Sequence, residues 1–167
     1  SDLLQNRKLK IFLPIAFLIL LALFLPQPLA PNYLREQKAL SLQMIGVLAS
    51  VSNLGIVALN IFLGQLPLQW GMIFGQASVG LFSLLVWRSR RTPWLFGAYF
   101  LLGGYRATRS LLVAQAEKLV DPANLGLAFG LFETVSGFAL IIAPPLAGLL
   151  YSKNPQLIFS TSLLLIL

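Results

Sequence analysis

The stretch LSLQMIGVLASVSNLGIVALNIFL, residues 40–63, contains no charged side chain. The charged stretch REQK at 35–38 lies shortly before it, and the loop-like stretch GQLPLQ at 64–69 follows it. A helix needs about 17–25 predominantly apolar residues to cross the ~30 Å hydrocarbon core of a bilayer. The stretch therefore predicts a transmembrane helix.

The composition of the whole chain indicates the same environment. Of its 167 residues, 57% are hydrophobic and only 10% are charged, and the mean hydropathy is +0.83. Soluble domains are about half apolar and about a quarter charged. A soluble core of this size leaves too much surface to hide the excess apolar residues. We therefore expect the chain to lie in a lipid bilayer.

The charged and metal-binding side chains narrow the possible functions. The net charge of +7 comes from 12 Lys and Arg against 5 Asp and Glu. Most of the cations lie in short loops between apolar stretches, which is typical of membrane-surface anchors rather than of a nucleic-acid-binding face. The chain has no Cys and no His, which excludes disulfides, thiolate chemistry and the usual zinc or haem ligands. We expect no cofactor, no metal and no nucleic-acid partner.

Six apolar segments divide the chain and predict an all-α, polytopic membrane protein, a single bundle of six transmembrane helices. A β-barrel would instead show short segments of alternating hydrophobicity. The last segment amounts to ~20 Å of helix, which is shorter than the bilayer core, so we expect a fragment whose last helix is truncated. The predicted helices cover residues 10–34, 40–63, 70–87, 93–119, 124–151 and 155–167.

Small and polar residues recur at helical spacing along the second segment, which places them on one face of that helix. Such a face is either a close packing seam or a wall exposed to water, and we expect it to avoid lipid. We favour packing for the glycines and leave Asn53 and Asn60 open between interhelical hydrogen bonding and cavity lining. The face comprises Gly46, Ser50, Asn53, Asn60 and Gly64.

Two stretches resemble the C-terminal half of a major facilitator superfamily transporter, spans seven to twelve. The loop GQLPLQWGMIFG, residues 64–75, is similar to the family pattern G-x-L-x-D-R-x-G at Gly64, Leu66 and Gly71. Leu68 and Gln69 stand where that pattern has Asp and Arg, so no charged latch is expected in this loop. The second stretch, residues 114–151, resembles the pattern A-E-x-V-P…G-x-A-x-G…G-P-x-x-A-G-x-L and matches it at Ala116, Glu117, Gly126, Ala128, Gly130, Pro145, Ala147 and Gly148.

The resemblance implies a secondary transporter that moves a small solute across the cell (inner) membrane. This bundle would rock against a missing N-terminal six-helix half in an alternating-access cycle. The resemblance also implies a cytoplasmic N-terminus. The distribution of loop cations opposes this orientation, but we keep it because the first helix usually dominates and the missing half would normally set the topology. The N-terminal side would carry Arg7, Lys8, Lys10 and Lys118, whereas the opposite side would carry Arg35, Lys38, Arg88, Arg90, Arg91 and Lys153.

Two arginines lie deep within the fourth segment. Arg106 and Arg109 are three residues apart on one helical face, and Tyr105 is next to them. An arginine at bilayer depth costs from about 2.5 to more than 10 kcal/mol, so it needs water, a partner or a function. Counting outward from the turn VDPAN at 120–124 places Glu133 at the depth of Arg109 and leaves Arg106 without an acid.

Two roles are open for this group. Arg109 and Glu133 form either a buried structural ion pair, which we favour, or part of a proton-coupling site, because burial and a neighbouring cation shift a carboxylate pKa in opposite directions. For Arg106 we favour binding of an anionic substrate, and the resemblance supports this because the family's fourth span lines the central cavity. Gly126, Gly130 and Gly137 share the face of Glu133 and would let a neighbouring helix approach closely.

Two alternatives to the full transporter are a half-size transporter that acts as a homodimer and a six-span membrane scaffold without a transport cycle. An ATP-driven pump is not supported, because the chain has no G-x-x-x-x-G-K-[ST] stretch. An intramembrane enzyme is the least supported class, since the acids are too scattered for a paired-carboxylate site. We therefore expect no enzymatic activity, and we expect the bilayer, the missing half and a small anionic solute as partners.

Overall fold

The computed structural model describes residues 6–166, which form eight α-helices, one short 3-10 turn at Pro122–Asn124 and no strand. The helices are α1 (Arg7–Phe24), α2 (Ala30–Lys38), α3 (Leu42–Gly64), α4 (Leu68–Arg88), α5 (Thr92–Leu102), α6 (Gly104–Glu117), α7 (Leu125–Lys153) and α8 (Leu157–Ile166).

Helix length and surface character both fit a bilayer. Within residues 6–166, three stretches are long and apolar enough to cross a membrane: α3, α4 and the region Pro122–Lys153, which contains α7. Large apolar side chains cover the outside of the bundle, and Ile141 and Leu164 are 71% and 74% exposed. An apolar surface of this extent requires lipid or protein against it. The predicted all-α membrane bundle is confirmed.

The first predicted segment, residues 10–34, contains two helices rather than one. α1 and α2 are separated by residues 25–29, where Pro26 and Pro28 lie. Proline removes a backbone donor and clashes with the preceding turn, so these two prolines favour a break between α1 and α2. Pro31 lies in the first turn of α2, where the missing donor would have had no partner within the helix.

The fourth predicted segment, residues 93–119, is also two helices, with a break at Gly103. The amide of Gly103 donates to the carbonyl of Phe100 at 3.1 Å, and the amide of Arg106 donates to the carbonyl of Gly103 at 3.3 Å. These bonds span three residues instead of four, which tightens the chain locally. The break lies against α3, because a Cβ added at Gly103 would overlap the backbone of Gly55.

The glycines that permit close helix packing are not those that the spacing predicted. A Cβ added at Gly46 or Gly64 meets no atom within 4 Å, and the same holds at Gly126, Gly130 and Gly137. The packing predicted for these faces is therefore wrong among residues 6–166. Close approach occurs instead where α3 meets α5 at Gly55 and where α4 meets α6 at Gly75. The spacing of small residues shows which of them share a face, but it does not show which face meets another helix.

Aromatic side chains organise the core. Phe82 on α4 packs edge-on against Tyr99 of α5 and Phe159 of α8, with ring centroids 5.4 and 6.4 Å apart. A second cluster around the fully buried Phe132 of α7 brings together α1, α6 and α7. Asn6 adds a polar link, since its Nδ2 donates to the carbonyl of Leu119 at 2.7 Å. The candidate site lies where α1, α6 and α7 meet.

Candidate functional site

A cleft of about 540 Å³ opens between the end of α1, the first half of α6 and the middle of α7. It brings together four residues that the sequence singled out: Tyr105, Arg106, Arg109 and Glu133. The remaining wall is formed by Phe24, Gln27, Ser110, Ser136, Gly137 and Leu140.

Tyr105 and Arg106 enter the cleft directly after the break between α5 and α6. Tyr105 packs edge-on against Phe24 of α1, with ring centroids 6.4 Å apart. Its hydroxyl accepts a hydrogen bond from Nε of Arg106 at 3.0 Å, and the guanidinium carbon lies 5.9 Å from the Tyr105 ring centroid. Arg106 is exposed, and no acid among residues 6–166 forms an ion pair with it. Tyr105 therefore orients this arginine, while its outer nitrogens face the open cleft.

Arg109 and Glu133 form an ion pair across α6 and α7. Nη2 of Arg109 lies 2.8 Å from Oε1 and 2.7 Å from Oε2 of Glu133, and Nε of Arg109 donates to the Ser136 hydroxyl at 3.2 Å. This is the pairing that counting outward from the turn predicts. The expectation that the pair is buried is wrong within this chain, because 36% of the Arg109 side chain and 55% of the Glu133 side chain are exposed. Both side chains face the cleft and are not enclosed between α6 and α7.

The cleft has an excess of positive charge. Its lining contains two guanidinium groups and one carboxylate, so one cation is not compensated by a lining side chain. A guanidinium presents a planar fork of donors that matches a carboxylate or a phosphate. In the described part of the chain, no three acidic, His or Cys side chains lie together in a way that would hold a metal ion. The chemistry available here is recognition of an anion.

Asn53 and Asn60 do not line this cleft. Asn53 is exposed on α3, and Nδ2 of Asn60 donates to the carbonyl of Ile56 in its own helix at 2.8 Å. The loop-motif residues are also distant from the cleft lining: Gly64 is the exposed last residue of α3. Gly71 is buried on α4, where an added Cβ would lie 2.8 Å from both the Leu63 carbonyl oxygen and a methyl group of Leu111.

Two polar residues of the cleft were missed by the sequence reasoning. Ser136 lies three residues after Glu133 and thus on the same face of α7, and this spacing was a usable signal. Gln27 lies between α1 and α2, and its Nε2 donates to the carbonyl of Leu23 at 2.7 Å. Pro26 and Pro28 on either side of Gln27 indicate a helix end, and no local pattern shows that this turn approaches α6 and α7.

The comparison with known families agrees with the fold. The sequence profile of the Major Facilitator Superfamily matches residues 12–167. A search of curated proteins found no significant match. Since the family profile covers nearly the whole chain, the chain belongs to the Major Facilitator Superfamily of membrane transporters.

Proposed function

We propose that the chain is the C-terminal half of a secondary active transporter and that the cleft between α1, α6 and α7 binds the anionic group of a small solute. Membership of a transporter family supports membrane transport rather than enzymatic chemistry. Transporters of this type bind substrate near the middle of the membrane, between two bundles that rock against each other. The match of residues 64–75 to the loop pattern supports the C-terminal placement.

The observation that carries the proposal is the difference between the two arginines. Arg109 is already neutralised by Glu133, whereas the one side chain among residues 6–166 that hydrogen-bonds Arg106 is Tyr105, through its neutral hydroxyl. An unpaired guanidinium is costly at membrane depth unless water or an anion reaches it. A substrate anion can therefore bind Arg106 first, before the ion pair between Arg109 and Glu133 is broken.

The ion pair between Arg109 and Glu133 provides a second step after the anion has bound to Arg106. Arg109 contacts Glu133 in the cleft, and both side chains are partly exposed. An anion bound at Arg106 would compete with Glu133 for Arg109, which lies three residues further along the same face of α6. Transfer of Arg109 from Glu133 to the bound anion would then link substrate binding to a change in the contact between α6 and α7. This exchange is the mechanism that we propose for the alternating-access cycle.

The test uses the full-length protein reconstituted in liposomes, with Arg106→Lys and Arg106→Gln compared with Arg91→Gln. Arg91 is an exposed arginine outside the cleft, so its replacement controls for the loss of one charge. A hydrogen bond to a charged group contributes about 1.5–3 kcal/mol. We therefore expect Arg106→Gln to weaken anion binding about ten- to hundredfold, and we expect Lys to replace the planar fork poorly.

Binding is measured by the thermal shift that a panel of small carboxylates and inorganic phosphate produces in the purified protein, and transport by uptake of the anion that binds. Normal transport by Arg106→Gln would refute the substrate role. Failure of that variant to fold would show that Arg106 pairs with an acid elsewhere in the protein, and the anion proposal would fall. If no solute or proton gradient drives flux into liposomes that contain the wild-type protein, the result would favour a six-span membrane scaffold without a transport cycle. If two covalently linked copies of this chain transport the solute without any other protein, the result would favour a half-size transporter that acts as a homodimer.

A further inference from the structure

A second pocket, of about 700 Å³, lies between the end of α2, the end of α4 and the start of α8. It shares no lining residue with the arginine cleft. Three cationic side chains line it, Lys38, Arg88 and Arg90, together with the amides of Gln37 and Gln156. We call these five residues and Trp87 the basic pocket.

No acidic side chain in the described part of the chain forms an ion pair with the basic pocket. None of the residues that line it is acidic, and none of its three cations forms an ion pair with a described residue. The acid next to it on α2 is Glu36, whose carboxylate accepts a hydrogen bond from the Tyr151 hydroxyl at 2.6 Å. Like charges held together without an anion repel each other. A bound anion would remove this repulsion.

The surroundings of Lys38 also disfavour the charged form of its side chain. Its ammonium group donates to the carbonyl of Ser89 and lies 5.7 Å from the centre of the Tyr33 ring. Partial burial lowers the pKa of Lys38, and the positive charge of Arg90 lowers it further. An anion between these two residues would oppose both effects.

The basic pocket lies at one end of the helical bundle, where α2 and α4 end and α8 begins. Trp87 and Arg88 are the last residues of α4, which is long and apolar enough to span the membrane. Nε1 of Trp87 donates to Oε1 of Gln156 at 3.1 Å, so the indole joins the end of α4 to the start of α8. Tryptophan is enriched at the ends of membrane-spanning helices because its ring prefers the boundary between hydrocarbon and water.

We infer that the basic pocket binds the phosphate of an anionic phospholipid headgroup. A phosphate suits this site because it accepts several hydrogen bonds at once from guanidinium, ammonium and amide donors. Basic pockets between transmembrane helices hold anionic headgroups in this way. The position next to a membrane surface favours a lipid phosphate over a free one. The inference concerns binding at a separate site and does not depend on the transport function proposed above.

The experiment measures binding of dioleoyl phosphatidylglycerol to the purified full-length protein by native mass spectrometry, with dioleoyl phosphatidylcholine as the zwitterionic reference of zero net charge. Arg88→Gln and Arg90→Gln each remove an exposed cation of the pocket. Arg91→Gln and Lys153→Gln remove exposed cations that do not line the pocket and serve as matched controls. We expect about fivefold weaker phosphatidylglycerol binding for each pocket charge removed and about 25-fold for the double variant.

Equal losses in the pocket and control variants would overturn the inference, because the lipid would then respond only to overall charge. A second arm titrates inorganic phosphate in the absence of lipid. Phosphate binding that depends on Arg90, without preference for phosphatidylglycerol over phosphatidylcholine, would assign the pocket to a free anion and overturn the lipid assignment. Lys38→Arg keeps the charge and should retain binding, which separates charge from packing at this half-buried position.

Discussion

Replacement of Gly55 by alanine should destabilise the protein strongly, although the same change at Gly46 should not. Both glycines lie within α3. A Cβ added at Gly55 would overlap the carbonyl oxygen of Phe100 on α5 and lie 2.8 Å from its carbonyl carbon, whereas a Cβ at Gly46 meets nothing within 4 Å. Carbon atoms pack at about 3.5–4.0 Å. Because backbone atoms cannot turn aside, α3 and α5 would have to separate.

The expected difference can be estimated from the packing. Forcing an extra methyl group into a filled contact costs about 1–3 kcal/mol. Alanine is favoured over glycine inside a helix by up to about 1 kcal/mol, and this gain applies in full at Gly46. The two variants should therefore differ by roughly 2–4 kcal/mol. For a protein of this size that corresponds to roughly 5–15 °C in midpoint temperature.

The assay is thermal unfolding of the purified protein in detergent, followed by the fluorescence of its three tryptophans. Gly55→Ala should unfold well below the wild type, and Gly46→Ala at or above it. Equal midpoints for the two variants would refute the reasoning, because they would show that α3 and α5 do not meet at Gly55. Gly55→Ser should be at least as damaging as Gly55→Ala, since it adds a larger side chain at the same contact.

Two further predictions concern polar residues. The double variant Arg109→Glu with Glu133→Arg should recover part of the stability lost in either single variant. For this partly exposed pair, the coupling free energy should be about 0.2–1 kcal/mol. A double variant that is no more stable than the single variants would contradict the contact. Asn53→Cys and Asn60→Cys, made in a chain without other cysteines, should react with a water-soluble maleimide unless protein covers them. Labelling by a lipid-soluble probe alone would show that this face of α3 meets lipid.

Charge patterns predicted the parts of this molecule that depend on local chemistry. The uncharged stretch at 40–63 correctly predicted α3, because a helix satisfies its own backbone hydrogen bonds wherever it lies in the membrane. The contact between Arg109 and Glu133 followed from counting residues on either side of one turn. Two helices joined by a short connection run side by side in opposite directions, so equal distances from the turn give equal depth.

Contacts between distant helices could not be predicted in the same way. Gly55 and Gly103 lie far apart in the sequence, and Gly55 does not stand out from the chain's other glycines until α3 and α5 are placed together. The break at Gly103 did have a local signal, since Gly103 and Gly104 are adjacent and a glycine pair weakens a helix. What the sequence could not show is that this break lies against Gly55 of α3.

The break at Gly103 also connects packing to the candidate site. Arg106 lies in the first turn of α6 after the break, and Tyr105, which orients it, packs on Phe24 of α1. Separation of α3 from α5 would therefore move the start of α6 and change the direction of Arg106. Gly55→Ala should thus lower both stability and anion binding, although Gly55 does not line the cleft. Arg106→Gln removes an exposed group that no acid among residues 6–166 pairs with, so it should weaken binding and leave the unfolding temperature unchanged. The two variants separate the role of the helix contact, which positions the arginine, from the role of the arginine itself.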